Sequence, residues 1–250
     1  MKKTLAILSL ITLSLVCVAC GKDNDKKKTE NTTVAEKETS TSEATTEEKQ
    51  KSQVVYATST DVDYSKQEDI KIGRATVTDA MLENKSIGIA FPVTKDMQVL
   101  SDSEIAAKLA IGQNMFGDDE RYTIEDFEDA MNGISYDSLI LLDEGNTLIS
   151  ISFNNTKKSG IYDDSLADFV NKTAEALVNN QSVNYTIKSI EDVKLGSKSY
   201  VRTLVGTDVG KSQMIYVRRE ANYIIQVSIT YPDEKESWAK EFIDSFVEVK

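Results

Sequence analysis

Helical and strand periodicities alternate in blocks along the C-terminal two-thirds of the chain. Ile87 to Val93 reads as a strand, with Pro92 marking an edge or an end. Ser101-x-x-Glu104 is a capping box that opens a helix with Ile105 and Leu109 at helical spacing. Thr123-x-x-Asp126 begins a second, short helix carrying Phe127 and Met131, which stops at Gly133. Ser138 to Asp143 and Thr147 to Phe153 flank Glu144-Gly145-Asn146 and read as a hairpin. A longer helix is expected from about Asp164 to Asn180, with Leu166, Phe169, Val170, Thr173 and Leu177 on one face. Four strand signals follow, near 183–192, 198–205, 213–219 and 223–231. A last helix from about Asp233 to Val247 would bury Trp238, Phe242 and Phe246. Ile70 to Val77 carries a further strand signal within the less regular stretch 54–80. The sum predicts an α+β domain whose mostly antiparallel sheet is flanked by helices.

The last three strands can be set in register. A loop Glu220-Ala221-Asn222 would place Val217 opposite Ile225 and Ile215 opposite Val227, and matching faces sets Val201 by Val217 and Thr203 by Ile215. Those residues form the expected core face. On the opposite face Arg202, Tyr216 and Gln226 then make a polar row across three strands. The row suits a carboxylate or a partner's backbone. It equally suits a solvent face whose arginines answer Glu191, Asp192 and Glu220.

Upstream the pattern breaks off. Every Trp, Tyr and Phe lies at or beyond Tyr56, and residues 21–53 contain no aromatic residue and no Leu, Ile or Met. A segment without large apolar groups cannot offset the entropy of ordering, so a tether is expected there, its ends roughly 30 Å apart as a flexible coil. A stalk that lifts a domain from a membrane and a filler of no set length both fit. Before it, Lys2 and Lys3 precede an apolar run of 15 residues, Leu5 to Ala19, broken only by Ser9, Thr12 and Ser14. The run is shorter than the roughly 20 residues that span a bilayer, and has the form of a secretory signal.

Val18-Ala19-Cys20-Gly21 resembles the lipobox of bacterial lipoproteins, with Cys17 where that pattern usually has Leu. The resemblance implies diacylglycerol on the Cys20 sulfur and cleavage between Ala19 and Cys20. Two or more acyl chains would hold the protein to the extracytoplasmic face of the cell membrane, each buried methylene contributing about 0.8 kcal/mol. The expected organisation is a signal peptide over 1–20, a tether over 21–53 and one domain over 54–250, its core from roughly residue 83.

Composition then removes function classes. The 250 residues hold 41 Asp and Glu against 29 Lys and Arg, a formal charge of −12, with two cysteines and no histidine. Residues 54–250 carry 33 acids against 20 bases, so the acidity belongs to the domain rather than the tether. That balance argues against nucleic acid, whose phosphates call for Lys and Arg. Without histidine there is no imidazole to serve as base, metal ligand or pH switch. With Cys17 removed and Cys20 acylated, neither a disulfide, a zinc site nor a thiol nucleophile is expected.

The remaining motifs are weighed by spacing. Gly206-Thr-Asp-Val-Gly210-Lys211-Ser212 has three residues between glycines where a P-loop needs four, and it leads into a strand pattern instead of a helix, so a hairpin loop is expected. The acidic clusters Asp61-Val-Asp63, Asp118-Asp119-Glu120 and Asp163-Asp164 do not fit calcium-loop spacing, and no metal is expected. Ser197-Lys198 opens no helix beside further hydrolase elements. Paired carboxylates remain open as a source of hydrolysis.

Tyr223-Ile-Ile-Gln-Val-Ser-Ile-Thr-Tyr-Pro232, preceded by a tyrosine-bearing strand and followed by an amphipathic helix ending Phe242-Ile-Asp-Ser-Phe246, resembles the PsbP-like class of bacterial lipoproteins. The strand Ile87-Gly-Ile-Ala-Phe-Pro92 is similar too, and the resemblance covers roughly residues 83–250. It implies an α-β-α sandwich around an antiparallel sheet, with no catalytic motif or cofactor. The photosynthetic members support an oxygen-evolving complex, which implies an accessory subunit of a membrane complex as one reading. The expectation drawn from the whole sequence is a non-enzymatic, lipid-anchored module that binds a protein or a small molecule. A carboxylate-dependent hydrolase is the third reading.

Overall fold

In the computed structural model, which describes residues 56, 62–78, 80–109 and 122–249, the strands form two antiparallel sheets. The larger contains β4 (Gln98–Val99), β5 (Ile134–Leu142), β6 (Thr147–Asn155), β7 (Tyr185–Leu195), β8 (Lys198–Thr207), β9 (Lys211–Glu220) and β10 (Tyr223–Pro232), in the spatial order 4-5-6-10-9-8-7. Two meanders, one ending at β6 and one at β10, therefore meet at a β6–β10 seam. The smaller sheet has the order 1-2-3-11 and is made of β1 (Thr76–Val77), β2 (Met81–Asn84), β3 (Ile89–Pro92) and β11 (Val247–Glu248). The helices are α1 (Asp102–Lys108), α2 (Ile124–Ala130), α3 (Leu166–Val178) and α4 (Glu236–Asp244). The fold is α+β, as the periodicities predict.

Capping chemistry fixes where three of these helices begin. Ser101 with Glu104, Thr123 with Asp126, and Ser165 with Asp168 each form a complete capping box, satisfying backbone N–H groups that would otherwise lack partners. The first two starts are the predicted ones. The third helix begins at Leu166, two residues later than expected, because the Ser165 hydroxyl takes the N-cap.

Both faces of the large sheet are covered. On one, Phe169, Val170 and Leu177 of α3 share an apolar cluster with Val201, Val205, Ile215 and Val217, joined by Ile105 of α1 and Phe127 of α2. On the other, Ala239 and Phe242 of α4 and Phe91 of β3 belong to a second cluster with Met214, Tyr216, Val227 and Ile229. Each of the Val, Leu, Ile, Phe and Met side chains among them contributes about 1.5–3 kcal/mol on full burial. Phe91 stacks on Phe246 with ring centroids 4.7 Å apart and meets Phe242 edge-on at 5.3 Å. The last helix ends at Asp244, earlier than predicted, so Phe246 lies between it and β11; Trp238 is half-buried. Of the Ile70–Val77 signal only Thr76–Val77 forms a strand, while Tyr56, Ile72, Ala75 and Leu82 are buried, so the packed set starts upstream of residue 83.

The predicted pairing of β8 with β9 is present: Val201 faces Val217 and Thr203 faces Ile215. The β9–β10 register differs by one residue. Ile225 lies opposite Arg218, Val227 opposite Tyr216 and Gln226 opposite Val217, because Glu220 pairs with Tyr223 and only Ala221 and Asn222 turn the chain. Ala221 adopts φ 49°, unusual for a residue with a Cβ. Distant groups hold the turn: Ala221 N–H donates to Gln67 Oε1 (2.9 Å), Ile70 N–H to Asn222 Oδ1 (2.9 Å), and Thr156 N–H to the Asn222 carbonyl (2.8 Å).

Candidate functional site

A slip of one residue exchanges the faces of a strand, and it divides the predicted row. Arg202 and Tyr216 are cross-strand neighbours, but the third residue on their face is Val227; Gln226 points to the other side of the sheet. Arg202 donates to Glu191 on β7, whose carboxyl is held below its usual range by that hydrogen bond and by the guanidinium charge. The Tyr216 hydroxyl points at Met214 Sδ (3.6 Å), and burial holds the phenol above its ordinary pKa against the pull of Arg202. Arg218 pairs with Glu220 at 2.8 Å and donates to the Ile87 carbonyl. Arg219 instead lies between the Tyr64 and Tyr162 rings and donates to the carbonyls of Tyr162, Asp164 and Ala221.

Gln226 enters a different row. It stands opposite Ser152 of β6, which stands opposite Tyr136 of β5. These three residues occupy the face covered by α3. They are buried, and the Tyr136 hydroxyl, Ser152 Oγ and Gln226 Oε1 have no hydrogen-bond partner among the described residues. One row along, the Ser150 and Ser228 hydroxyls bond each other across the seam at 2.7 Å. The signal that could have found this row is alternation in the two seam strands. In β6, Ser150, Ser152 and Asn154 alternate with Ile149, Ile151 and Phe153; in β10, Gln226, Ser228 and Thr230 alternate with Ile225, Val227 and Ile229. Such a pattern normally marks a sheet with one face in water, whereas here both faces are buried.

The buried charged groups Arg74, Asp102, Asp137 and Glu128 tie elements together. Arg74 donates to both Asp102 oxygens (2.7 and 3.2 Å) and to the carbonyls of Tyr122 and Asp137, and its Nε lies 3.5 Å from Asp137 Oδ1. Asp137 also accepts from Ala75 N–H and Asn84 Nδ2. Glu128 accepts from the Tyr223 hydroxyl (2.6 Å) and Asn155 Nδ2, with Lys158 Nζ at 3.1 Å. Burial, then the Glu128 hydrogen bond, pushes the Tyr223 phenol up.

The Gly206–Ser212 segment joins two strands, as its pattern predicts. Ser212 Oγ donates to Asp233 Oδ1 at 2.7 Å and receives Lys188 Nζ at 2.9 Å. An ammonium donating into the hydroxyl oxygen withdraws the lone pair that a nucleophile would use. Among the described residues no group of three or more His, Cys, Asp or Glu is placed to hold a metal ion, and no helix is long and apolar enough to cross a membrane. Cys20, the signal and tether, Asp61 and the Asp118–Glu120 cluster lie outside the described residues.

No family model and no curated protein matches the sequence. Among solved structures the chain is similar to the solution structure of cyanobacterial PsbP (CyanoP) from Synechocystis sp. PCC 6803, at 10% identity and a TM-score of 0.41, over 69% of this chain and 95% of that one.

Proposed function

We propose that the chain is a lipid-anchored, extracytoplasmic bacterial module that binds a small molecule or a protein and carries out no reaction. The observation that carries this reading is the N-terminal order of features: a basic start, an apolar run too short to span a bilayer, Val18-Ala19-Cys20-Gly21, then a polar segment of 33 residues before the first aromatic side chains. Acylation of Cys20 would retain the protein at the membrane, and the polar segment would give the domain reach from it. A non-catalytic role is supported by how the buried charges of Arg74, Asp102, Asp137 and Glu128 are used, each held by groups from other elements.

Cys20→Ser tests the anchor: metabolic labelling with palmitate should disappear, and the protein should leave the membrane fraction. Unchanged retention would overturn it. Crosslinking in intact membranes separates the kinds of binding. One stoichiometric protein partner would make the chain an accessory subunit, while a monomer stabilised by a small solute would make it a solute-binding module.

A further inference from the structure

A side chain, rather than a strand, holds the backbone of Tyr56. The Asn171 amide on α3 accepts from Tyr56 N–H (2.8 Å) and donates to its carbonyl (2.8 Å), while the Tyr56 hydroxyl donates to Asp192 of β7 (2.5 Å). A second catch lies at Tyr64, whose ring centroid is 4.3 Å from the Arg219 guanidinium carbon. The third is at 67–70, where Gln67 and Ile70 bond the Ala221–Asn222 turn and Asp69 pairs with Lys157 at 2.7 Å, both about half exposed. The second and third catches are joined, because Arg219 donates to the carbonyl of the same Ala221 whose N–H Gln67 holds. Residues 66–69 and 71 are exposed, and among the described residues no backbone-to-backbone hydrogen bond joins 64–71 to another element. Beyond them the hold changes character. Ile72 is buried, Arg74 pairs with Asp102 and Asp137, and the buried Ala75 N–H donates to Asp137 Oδ1 at 2.6 Å. Stretches with few buried apolar contacts open at lower free energy than the core they lie on.

We propose that Tyr56 and residues 62–71 are a detachable strap: the three catches release together while the sheet stays folded, and the buried ties at 72–75 stop the opening. The consequence for reach rests on the lipid-anchor reading; the opening itself does not. Release moves the first fixed residue from Tyr56 to Ile72, which lengthens the tether by 16 residues, roughly 55 Å when fully extended.

Amide hydrogen exchange of the full chain in detergent tests the strap, because each side of it protects a reporter: Tyr56 through Asn171, Ile70 through Asn222, and Ala221 through Gln67. The three amides should show one common protection factor, about a hundredfold or more below those of Ala75 and of β6 and β10. Asn171→Ala removes only the Tyr56 catch, at a helical position that favours alanine. It should speed exchange at Ile70 and Ala221 by the same factor as at Tyr56, about tenfold for two lost hydrogen bonds. Faster exchange at Tyr56 alone would overturn the strap and leave independent contacts. Protection of all three reporters equal to that of Ala75 would overturn it too, since they would then open only with the whole domain. Cys20→Ser should exchange as the wild type does. Concerted exchange in a chain that takes up no palmitate would uphold the strap and remove the anchor with its gain in reach. Palmitate uptake with three unrelated protection factors would remove the strap and leave the anchor standing.

Discussion

Lys188 lies across Gly206, where a Cβ would stand 2.6 Å from Lys188 Cε. Beyond that crossing its ammonium reaches Ser212, and Ser212 reaches Asp233, so one chain of contacts fastens β7, β8, β9 and the turn after β10. Gly206→Ala should push the flexible lysine tip aside and cost about 1 kcal/mol, the net worth of a typical hydrogen bond. Lys188→Ala should cost the same, and the double variant little more than either, since both remove one contact. Urea denaturation of the four proteins checks this. Additive losses would show that the two residues are not coupled.

Arg74→Ala should be far more damaging. It leaves the Asp102 and Asp137 carboxylates, with side chains 5% and 0% exposed, without their cation. Breaking a buried pair from one side costs about 3–5 kcal/mol. Lys172→Ala, which breaks a pair whose lysine is 45% exposed, should cost about 0–1 kcal/mol. Comparable midpoints for the two variants in denaturant would contradict the burial argument.

Acid should loosen the helix starts. Hydrogen bonds from the Thr123 hydroxyl and backbone N–H hold Asp126 below its usual range, and Ser165 does the same for Asp168. A depressed folded-state value means that the stabilisation is complete above the unfolded value of about 3.9 and is lost as pH falls through the folded one. Asp126→Asn and Asp168→Asn should therefore flatten the acid limb of a melting-temperature profile. An unchanged limb would mean that the caps contribute nothing to it.

At the alkaline end the sign reverses. Burial raises the phenol of Tyr136, and burial together with Glu128 raises that of Tyr223. Above about pH 10 the unfolded chain sheds these protons while the folded chain keeps them, so stability falls as pH rises. Tyrosinate absorbance should appear together with loss of far-ultraviolet ellipticity. Titration of all ten tyrosines before unfolding would contradict it.

Arg202→Ala should cost about 1 kcal/mol, because the side chain is 26% exposed and its partner Glu191 is 48% exposed. A loss several times larger in thermal denaturation would mean that Tyr216 depends on this guanidinium for its place beneath α4.

The elements from β5 to β10 were legible because each is long, periodic and bounded by turn residues, and two helix starts were legible because capping is local chemistry. The β9–β10 register was not. Whether two residues or three turn that hairpin is decided by Gln67, Ile70 and Thr156, all remote in sequence and none hinting at the role. That parity alone carried Gln226 to the wrong face. The burial of both faces was hidden for a related reason: Ser150, Ser152 and Ser228 give the seam strands the alternation of a half-wet sheet. Nothing local marks Arg74 either, since its carboxylates lie 28 and 63 residues away.

The seam between the meanders also orders events in time. Strands β7 to β10 join their neighbours through short turns, as do β5 and β6, so each group can form from contacts close in sequence. Ser150 and Ser228 are 78 residues apart, and closing so long a loop carries an entropy cost that local hairpins avoid. The two halves should thus form early and the β6–β10 ladder last. A chain cut in the connection between β6 and α3 should reassemble from its two pieces at a rate that depends on their concentration, with the serine pair among the final contacts made.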